Sequence, residues 1–167
     1  TNDLAIAKEI NYEYKRLGIR KGDIVMDIGA HIGLFSDYAY NFGAEKIYAY
    51  EPEPDNFALA YKHTRNLPII LKNVAISNKN GFADLYISNT KDKSAHSLEN
   101  IRGRLPIKVE TISFVEEVNK INPTIIKIDI EGGEYLLPFN DLPNNVRAIA
   151  IEFHLGRKKW KEIGVPR

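Results

Sequence analysis

The sequence predicts one α/β domain of 167 residues, built on a mostly parallel, doubly wound sheet between two layers of helices. Two observations support this prediction. Short apolar runs that suit buried strands alternate with longer segments in which apolar residues recur every three or four positions, as in amphipathic helices. Turn residues separate these segments. A chain of this length has room for one such domain, because chains usually contain about 100–200 residues per domain.

The first half of the chain shows the alternation most clearly. A leading helix is predicted within residues 1–20, followed by a core over residues 21–154 and a tail over residues 155–167. Pro54 suits the first position of a helix. The predicted elements are, in order, a helix over residues 4–17, a strand over 24–26, a helix over 33–41, a strand over 46–50, a helix over 54–65 and a strand over 69–74.

The stretch from residue 75 to residue 123 interrupts this rhythm. Its pattern predicts a strand of alternating apolar and polar residues over 83–88 and a polar loop over 89–105. A short strand over 108–111 and a helix over 113–121 follow. Strands over 124–130 and 147–153 then resume the pattern. Doubly wound sheets bind ligands beyond the carboxyl ends of their strands, where the strand order reverses. Functional residues are therefore expected directly after Met26, Tyr50, Val74, Ile128 and Ile151.

The composition excludes several classes of protein. The chain is 44% hydrophobic and 27% charged, which is typical of a folded domain. It has no cysteine, so it has no disulfide, no thiolate nucleophile and no zinc site with Cys ligands. Its net charge of +1 gives no strong signal for nucleic acid or a membrane. No long apolar run or signal segment is found, and we expect a cytoplasmic protein.

Residues 27–33, Asp-Ile-Gly-Ala-His-Ile-Gly, join the first predicted strand to a helix. Glycines let the main chain approach a ligand closely, and a helix N-terminus offers unpaired N–H groups, so a nucleotide-like cofactor is predicted here. The dinucleotide fingerprint needs glycines at positions 29, 31 and 34, and only Gly29 matches. A P-loop also fails, because the Lys-Ser/Thr pair is missing. Pyrophosphate binding is disfavoured, and an ordinary strand-to-helix turn is the alternative.

Glu51, followed by Pro52, comes after the second predicted strand. It lies 22 residues beyond Gly29, near the spacing of about 20 at which Rossmann-type sheets place the carboxylate that binds ribose hydroxyls. Alone, a Glu-Pro pair at a strand end is more often a solvated turn. Together with the glycine turn it favours an adenosine-containing cofactor without phosphates, which is S-adenosylmethionine.

Residues 127–134, Lys-Ile-Asp-Ile-Glu-Gly-Gly-Glu, begin in a predicted buried strand and continue into a turn that contains a pair of glycines. Alternation places Lys127, Asp129 and Glu131 on one side, if the strand continues that far. Three ionisable groups there are costly unless they are paired or functional, and a structural ion pair of Lys127 is the alternative. Two acids without a clear third ligand are weak grounds for a metal, so none is predicted. His154, in Glu152-Phe-His, can accept a proton near neutral pH.

Together these segments resemble the FkbM-type family of S-adenosylmethionine-dependent methyltransferases. The likeness extends from about residue 21 to residue 154, and residues 127–134 are its most distinctive part. The resemblance implies a Rossmann-like methyltransferase sheet with the cofactor across the ends of its first two strands. It also implies methylation of a hydroxyl group. The methyl acceptor, a sugar, glycan or secondary metabolite, would be the binding partner of the chain.

The resemblance further implies a set of site residues. It places Asp129 facing the transferred methyl group. The chemistry of the transfer then makes Asp129 the first candidate for the base that takes the acceptor's proton, with Glu131, Glu134 and His154 as orienting groups or alternative bases. Ile112-Ser-Phe replaces an acidic pair that relatives commonly carry, so no role is assigned there. The positions implied to bind the cofactor are Asp27, Gly29, Ala30, His31, Gly33, Glu51, Pro52, Val74, Ala75 and Asp129.

Three further points stay open at the level of sequence. The 13 residues after His154 are too few for the closing strand hairpin of a full methyltransferase sheet, so we expect a minimal or a shortened sheet. The polar loop over 89–105 has a surplus of two positive charges and is either solvated or a lid for an acidic acceptor. Two other functions are an RNA methyltransferase, using the basic residues 157–161, and a non-catalytic cofactor-binding module.

Overall fold

A computed structural model of the chain describes residues 14–87 and 105–153. The predicted leading helix falls mostly outside these residues, and only a short 3₁₀ turn at Lys15–Leu17 is seen. The helices are α1 (Leu34–Asn41), α2 (Pro54–Thr64) and α3 (Phe114–Ile121). The strands are β1 (Ile24–Ile28), β2 (Lys46–Tyr50), β3 (Ile69–Lys72), β4 (Ala75–Ser77), β5 (Gly81–Ile87), β6 (Leu105–Ser113), β7 (Ile125–Ile128) and β8 (Ala148–Ile151).

Five of the strands form one parallel sheet in the order β3-β2-β1-β7-β8. The order reverses beside β1, which pairs with β2 on one side and β7 on the other. Val25, Met26 and Ile28 of β1 have no exposed surface, as expected of a strand covered on both faces. The predicted α/β class and its doubly wound, mostly parallel sheet are confirmed.

Helices cover both faces of this sheet. On one face, Phe35 and Ala39 of α1 pack against Val25 and Ile47. On the other face, Phe114 and Val118 of α3 belong to the cluster that contains Met26 and Ile28 of β1 and Ile126 and Ile128 of β7. The apolar stripe of α3 follows the helical repeat and is buried, and among the polar residues of the helix Glu117 is buried with it. The result is the predicted three-layer arrangement.

A second, smaller sheet accounts for the interruption in the predicted rhythm. Its order is β4-β6-β5, with β5 and β6 antiparallel. The strand predicted over 69–74 is present as β3 but ends at Lys72, and β4, which was not predicted, begins a different sheet at Ala75. Between them, the side-chain amide of Asn73 donates to the main-chain oxygens of Glu51 and Pro52 at 2.8 and 3.1 Å. This contact diverts the chain from the first sheet to the second.

Most of the other predicted strands also have different bounds in the structure, and two of these differences matter for the site. The strand predicted over 108–111 is the nine-residue β6, because residues 105–111 pair with β5 and residues 111–113 pair with β4. The strand predicted over 124–130 ends at Ile128, and a turn follows in which Glu131 has φ +54° and Gly132 has φ +103°. In the part of the chain that the structure describes, no helix is long and apolar enough to cross a membrane.

Candidate active site

A cleft of about 260 Å³ opens at the carboxyl ends of β1, β2 and β7, beside the reversal of strand order. Three separate sequence signals therefore meet there, as the topology of a doubly wound sheet requires. The predicted site residues that line the cleft are Gly29, His31, Glu51, Pro52, Ala75, Asp129 and Glu131. This set includes the predicted ribose-binding acid and the first candidate base.

The turn after β1 is bound to both neighbouring strands. The N–H groups of Gly29 and Ala30 donate to the main-chain oxygen of Tyr50 at 3.0 and 2.9 Å. Gly29 has φ +80°, and a Cβ atom built there would lie 1.8 Å from the main-chain oxygen of Asp129. Glycine is thus required at position 29 by the close approach of two turns of the protein itself, in addition to any ligand.

Glu51 is held rigidly at the floor of the cleft. Its Oε2 accepts from the N–H of His31 at 2.8 Å, and its Oε1 accepts from the N–H of Glu53 at 2.9 Å. The residue is only 5% exposed. Burial raises the pKa of Glu51 from its ordinary value of 4.5 to about 7, although both amide hydrogen bonds and the charge of Lys127 oppose the rise. Its carboxyl therefore changes charge near neutral pH.

Asp129 stands at the opposite wall of the cleft. Its N–H donates to the main-chain oxygen of Ile28 at 3.0 Å, which holds it against the end of β1. Its side chain is 31% exposed, and its Oδ2 lies 3.8 Å from Nζ of Lys127. The ion pair expected as the structural alternative is present, and yet the carboxyl still opens into the cleft. Charge pairing and contact with a ligand are therefore compatible at this position.

Other predicted residues lie beneath or beside the cleft. Glu134 is fully buried, and its Oε1 accepts from the N–H groups of Ile130 and Gly132 at 3.2 and 3.1 Å. It supports the turn that presents Asp129 and Glu131, so its position does not suit contact with an acceptor. Gly33 packs against α2, where an added Cβ would lie 3.0 Å from Thr64. Its glycine therefore serves helix packing.

The remaining predicted positions are also not part of the lining. Asp27, Ala30 and Val74 are buried. Asp27 accepts from the hydroxyl of Ser36 at 2.7 Å, beneath the turn, so its contribution to a ligand site is indirect. The predicted base candidate His154 lies outside the residues that the structure describes, as do the polar loop and the basic tail.

The cleft also contains residues that the sequence patterns did not predict. The small sheet contributes an apolar wall, formed by Ile76 and Leu85 together with Ala75. The apolar alternation of residues 83–88 marks Leu85 as an inward residue, but it does not reveal that this strand faces the end of β2. Asn56 from α2 and Glu152, which follows β8, complete the lining together with Ile28, Tyr50 and Ile130.

The ring of Tyr50 is fixed by a buried polar network. Its hydroxyl donates to Oε1 of Glu117 at 2.9 Å, and Lys72 also forms an ion pair with that atom. Burial alone raises the pKa of Glu117, but the bonds from Lys72 and Tyr50 outweigh it and leave the pKa below its ordinary value. Glu117 is therefore a carboxylate, and it ties α3 to the wall of the cleft.

The geometry narrows the kinds of ligand that fit. Within the described residues, the lining contains four carboxyl side chains, those of Glu51, Asp129, Glu131 and Glu152, and no lysine or arginine. Such a lining repels a pyrophosphate and suits a nucleoside that carries positive charge. In residues 14–87 and 105–153, no group of three or more potential ligands is arranged to hold a metal ion.

A doubly wound sheet with a glycine turn after its first strand and a buried acid after its second defines a nucleoside-binding α/β protein. Residues 27–160 match the methyltransferase FkbM domain family, and the chain belongs to this family. The predicted resemblance is confirmed, and S-adenosylmethionine is the cofactor that the family implies. No curated protein matches the chain.

Solved structures give more distant likenesses. The methyltransferase FkbM from Methylobacillus flagellatus is 18% identical with a TM-score of 0.47, and the match covers 76% of this chain and 32% of that one. A SAM-dependent methyltransferase from Aquifex aeolicus is 21% identical with a TM-score of 0.36, and the match covers 45% and 42% of the two chains. The matched part is thus less than half the length of either relative.

Proposed function

We propose that this chain binds S-adenosylmethionine and transfers its methyl group to a hydroxyl group of a sugar, glycan or secondary metabolite. The observation that carries the proposal is the placement of two acids in one cleft. Glu51 is buried at the floor, and Asp129 is partly exposed at the opposite wall. One acid can bind a ribose while the other faces the reacting group.

The residues of the cleft fit the cofactor part by part. The carboxylate of Glu51 can accept both ribose hydroxyls, because it is already aligned by two main-chain N–H groups. Ala75, Ile76 and Leu85 offer an apolar surface for the adenine. The turn at Gly29 and His31 lies next to this surface and would contact the methionine part. The acidic lining matches the positive charge of a sulfonium.

The chemistry assigns a separate task to Asp129. Bound S-adenosylmethionine supplies an electrophilic methyl group. A sugar hydroxyl is a poor nucleophile until a base begins to remove its proton, and a positioned base contributes about 10²–10⁴-fold. In our proposal the carboxylate of Asp129 would take that proton as the bond from the acceptor oxygen to the methyl carbon forms and the bond from that carbon to the sulfonium sulfur breaks, with the demethylated thioether as the leaving group. The rest of the cleft aligns the acceptor and excludes water, which is the main requirement for a displacement of this kind.

Calorimetric titration tests the proposed cofactor before any acceptor is known. We expect one equivalent of S-adenosylmethionine or of its demethylated product to bind, and NAD not to bind, because its pyrophosphate would meet the acidic lining. Glu51→Gln should abolish measurable binding, whereas Glu45→Gln, at the other end of β2, should leave it unchanged. Binding of NAD alone would contradict the proposal. Radiolabelled methyl transfer into fractionated glycans, lipids, small molecules and RNA would then identify the acceptor.

Cofactor affinity is expected to depend on pH through Glu51. The pKa of about 7 means that the carboxyl is mostly protonated at pH 6 and mostly charged at pH 8. Ribose hydroxyls donate to the charged form, so the apparent affinity should rise as pH rises through 7 and should be about tenfold weaker at pH 6 than at pH 8. Calorimetry across this range measures the effect.

His31 is the necessary control for this titration, because it lines the same cleft and histidine is the residue type whose ordinary pKa is nearest to neutral. His31→Asn keeps the main-chain N–H that binds Glu51, and asparagine tolerates the φ of +52° at this position. The pH dependence should persist in this variant. A profile that becomes flat in His31→Asn would assign the titration to the imidazole and not to Glu51.

A further inference from the structure

Lys127 is a buried lysine that the proposed chemistry does not use. It lies on β7, is 5% exposed, and points toward β1 beneath the cleft. Its Nζ donates to the main-chain oxygen of Gly29 at 2.7 Å. A buried ammonium is costly unless it is paired, so its partners indicate what it does.

Two carboxylates share this one ammonium. Nζ lies 3.4 Å from Oδ1 of Asp27 and 3.8 Å from Oδ2 of Asp129. Asp27 is fully buried, and its other oxygen accepts from the hydroxyl of Ser36. The centroid of the Phe35 ring lies 6.0 Å from Nζ. The ammonium thus joins a structural acid below the turn to the candidate base above it.

Lys127 also makes a contact with Gly29 that is not needed to balance the charge of its two acidic partners. The peptide group between Gly29 and Ala30 is held at both ends, because its oxygen accepts from Lys127 and its N–H donates to Tyr50. One end is therefore tied to β7 and the other to β2. This peptide lies in the turn that lines the cleft, so its orientation decides where the turn meets a ligand.

We infer that Lys127 is a positioning residue that holds the cofactor-binding turn and the carboxylate of Asp129 in one fixed geometry. This inference rests on the proposed function. Lys127 is not itself a lining residue of the cleft, and it acts through its contacts with two lining residues, Gly29 and Asp129. Binding of the cofactor and orientation of the base are coupled through its single ammonium.

The test compares Lys127→Met with the double variant Lys127→Met/Asp27→Asn. Methionine keeps the length of the side chain but removes the charge, which leaves Asp27 buried without a counter-charge and destabilises the fold. The second substitution, Asp27→Asn, removes that cost, and the oxygen of the new amide can still accept from Ser36. The double variant is therefore expected to regain thermal stability while its affinity for S-adenosylmethionine stays at least tenfold weaker than that of the wild-type chain.

Amide hydrogen exchange in the cofactor-free protein gives a second readout. The N–H groups of Gly29, Ala30 and Asp129 all form main-chain hydrogen bonds at the junction of the two turns. We expect their exchange to be at least tenfold faster in the double variant, and exchange in β6, far from Lys127, to be unchanged. Calorimetry with S-adenosylmethionine and exchange followed by NMR provide the two measurements.

Wild-type affinity and wild-type exchange in the double variant would overturn the inference, because Lys127 would then only balance the charge of Asp27. Failure of the proposed function looks different. In that case the wild-type chain itself would bind no S-adenosylmethionine, and the exchange of the three amides would still decide whether Lys127 holds the two turns together.

Discussion

Gly29→Ala is expected to lower the free energy of unfolding by roughly 3–5 kcal/mol and to abolish cofactor binding. The added methyl group would lie 1.8 Å from the main-chain oxygen of Asp129, which is backbone and cannot rotate away. The turns after β1 and β7 must separate to make room, and that movement displaces two walls of the cleft. Urea unfolding measures the loss of stability, and calorimetry with S-adenosylmethionine measures the loss of binding.

Gly22→Ala is the matched control for this variant. Gly22 has φ +89°, close to the +80° of Gly29, so an alanine there has a similar backbone strain of about 1–2 kcal/mol. Its added Cβ would meet only the end of the Glu45 side chain at 4.0 Å. The difference between the two variants therefore isolates the clash with Asp129. Equal losses of stability in both would show that backbone conformation, and not the contact of the two turns, requires Gly29.

Asp129→Asn is expected to lower the rate of methyl transfer by about 10²–10⁴-fold while the cofactor affinity changes less than about threefold. The amide has nearly the shape of the carboxylate but cannot accept the acceptor's proton. The lost ion pair with Lys127 is partly exposed and 3.8 Å long, so stability should change little. Single-turnover transfer to the acceptor identified by radiolabelling gives the rate, and calorimetry gives the affinity.

Two further variants test whether the loss of methyl transfer is specific to Asp129. Glu131→Gln removes the other predicted acid that lines the cleft after β7, and Glu45→Gln removes an exposed acid at the far end of β2. We expect neither to match the loss caused by Asp129→Asn. A full loss in Glu131→Gln with normal turnover in Asp129→Asn would move the base to position 131. A parallel loss of cofactor affinity in Asp129→Asn would instead make Asp129 a cofactor ligand.

The strand ends that carry the site were predictable because a parallel sheet imposes a simple rule. Its strands run in one direction, so the residues after β1, β2 and β7 meet at one edge wherever the order reverses. The glycine turn, Glu51 and Asp129 could each be read from their place after an apolar run. The absence of the dinucleotide fingerprint and of a P-loop also disfavoured a pyrophosphate ligand, in agreement with the acidic lining of the cleft.

The second sheet could not be read from the same patterns. Residues 69–74 have the composition of one strand, and the break after Lys72 depends on the contacts of Asn73 with the chain near Glu51. That contact joins positions about 20 residues apart. The apolar wall at Leu85 depends on this contact, because β4 and β5 form that wall only as strands of a separate second sheet.

The sequence by itself determined the class of fold, the family and the edge of the sheet where the candidate site lies, because these depend on periodicity and on residues at strand ends. Tertiary structure alone decided the surroundings of each acid. Glu51, Asp129 and Glu134 are all carboxyl groups after buried strands, and they differ only in exposure and in their hydrogen-bond partners. Exposure and partners depend on distant segments that pack around each side chain, and local sequence does not contain that information.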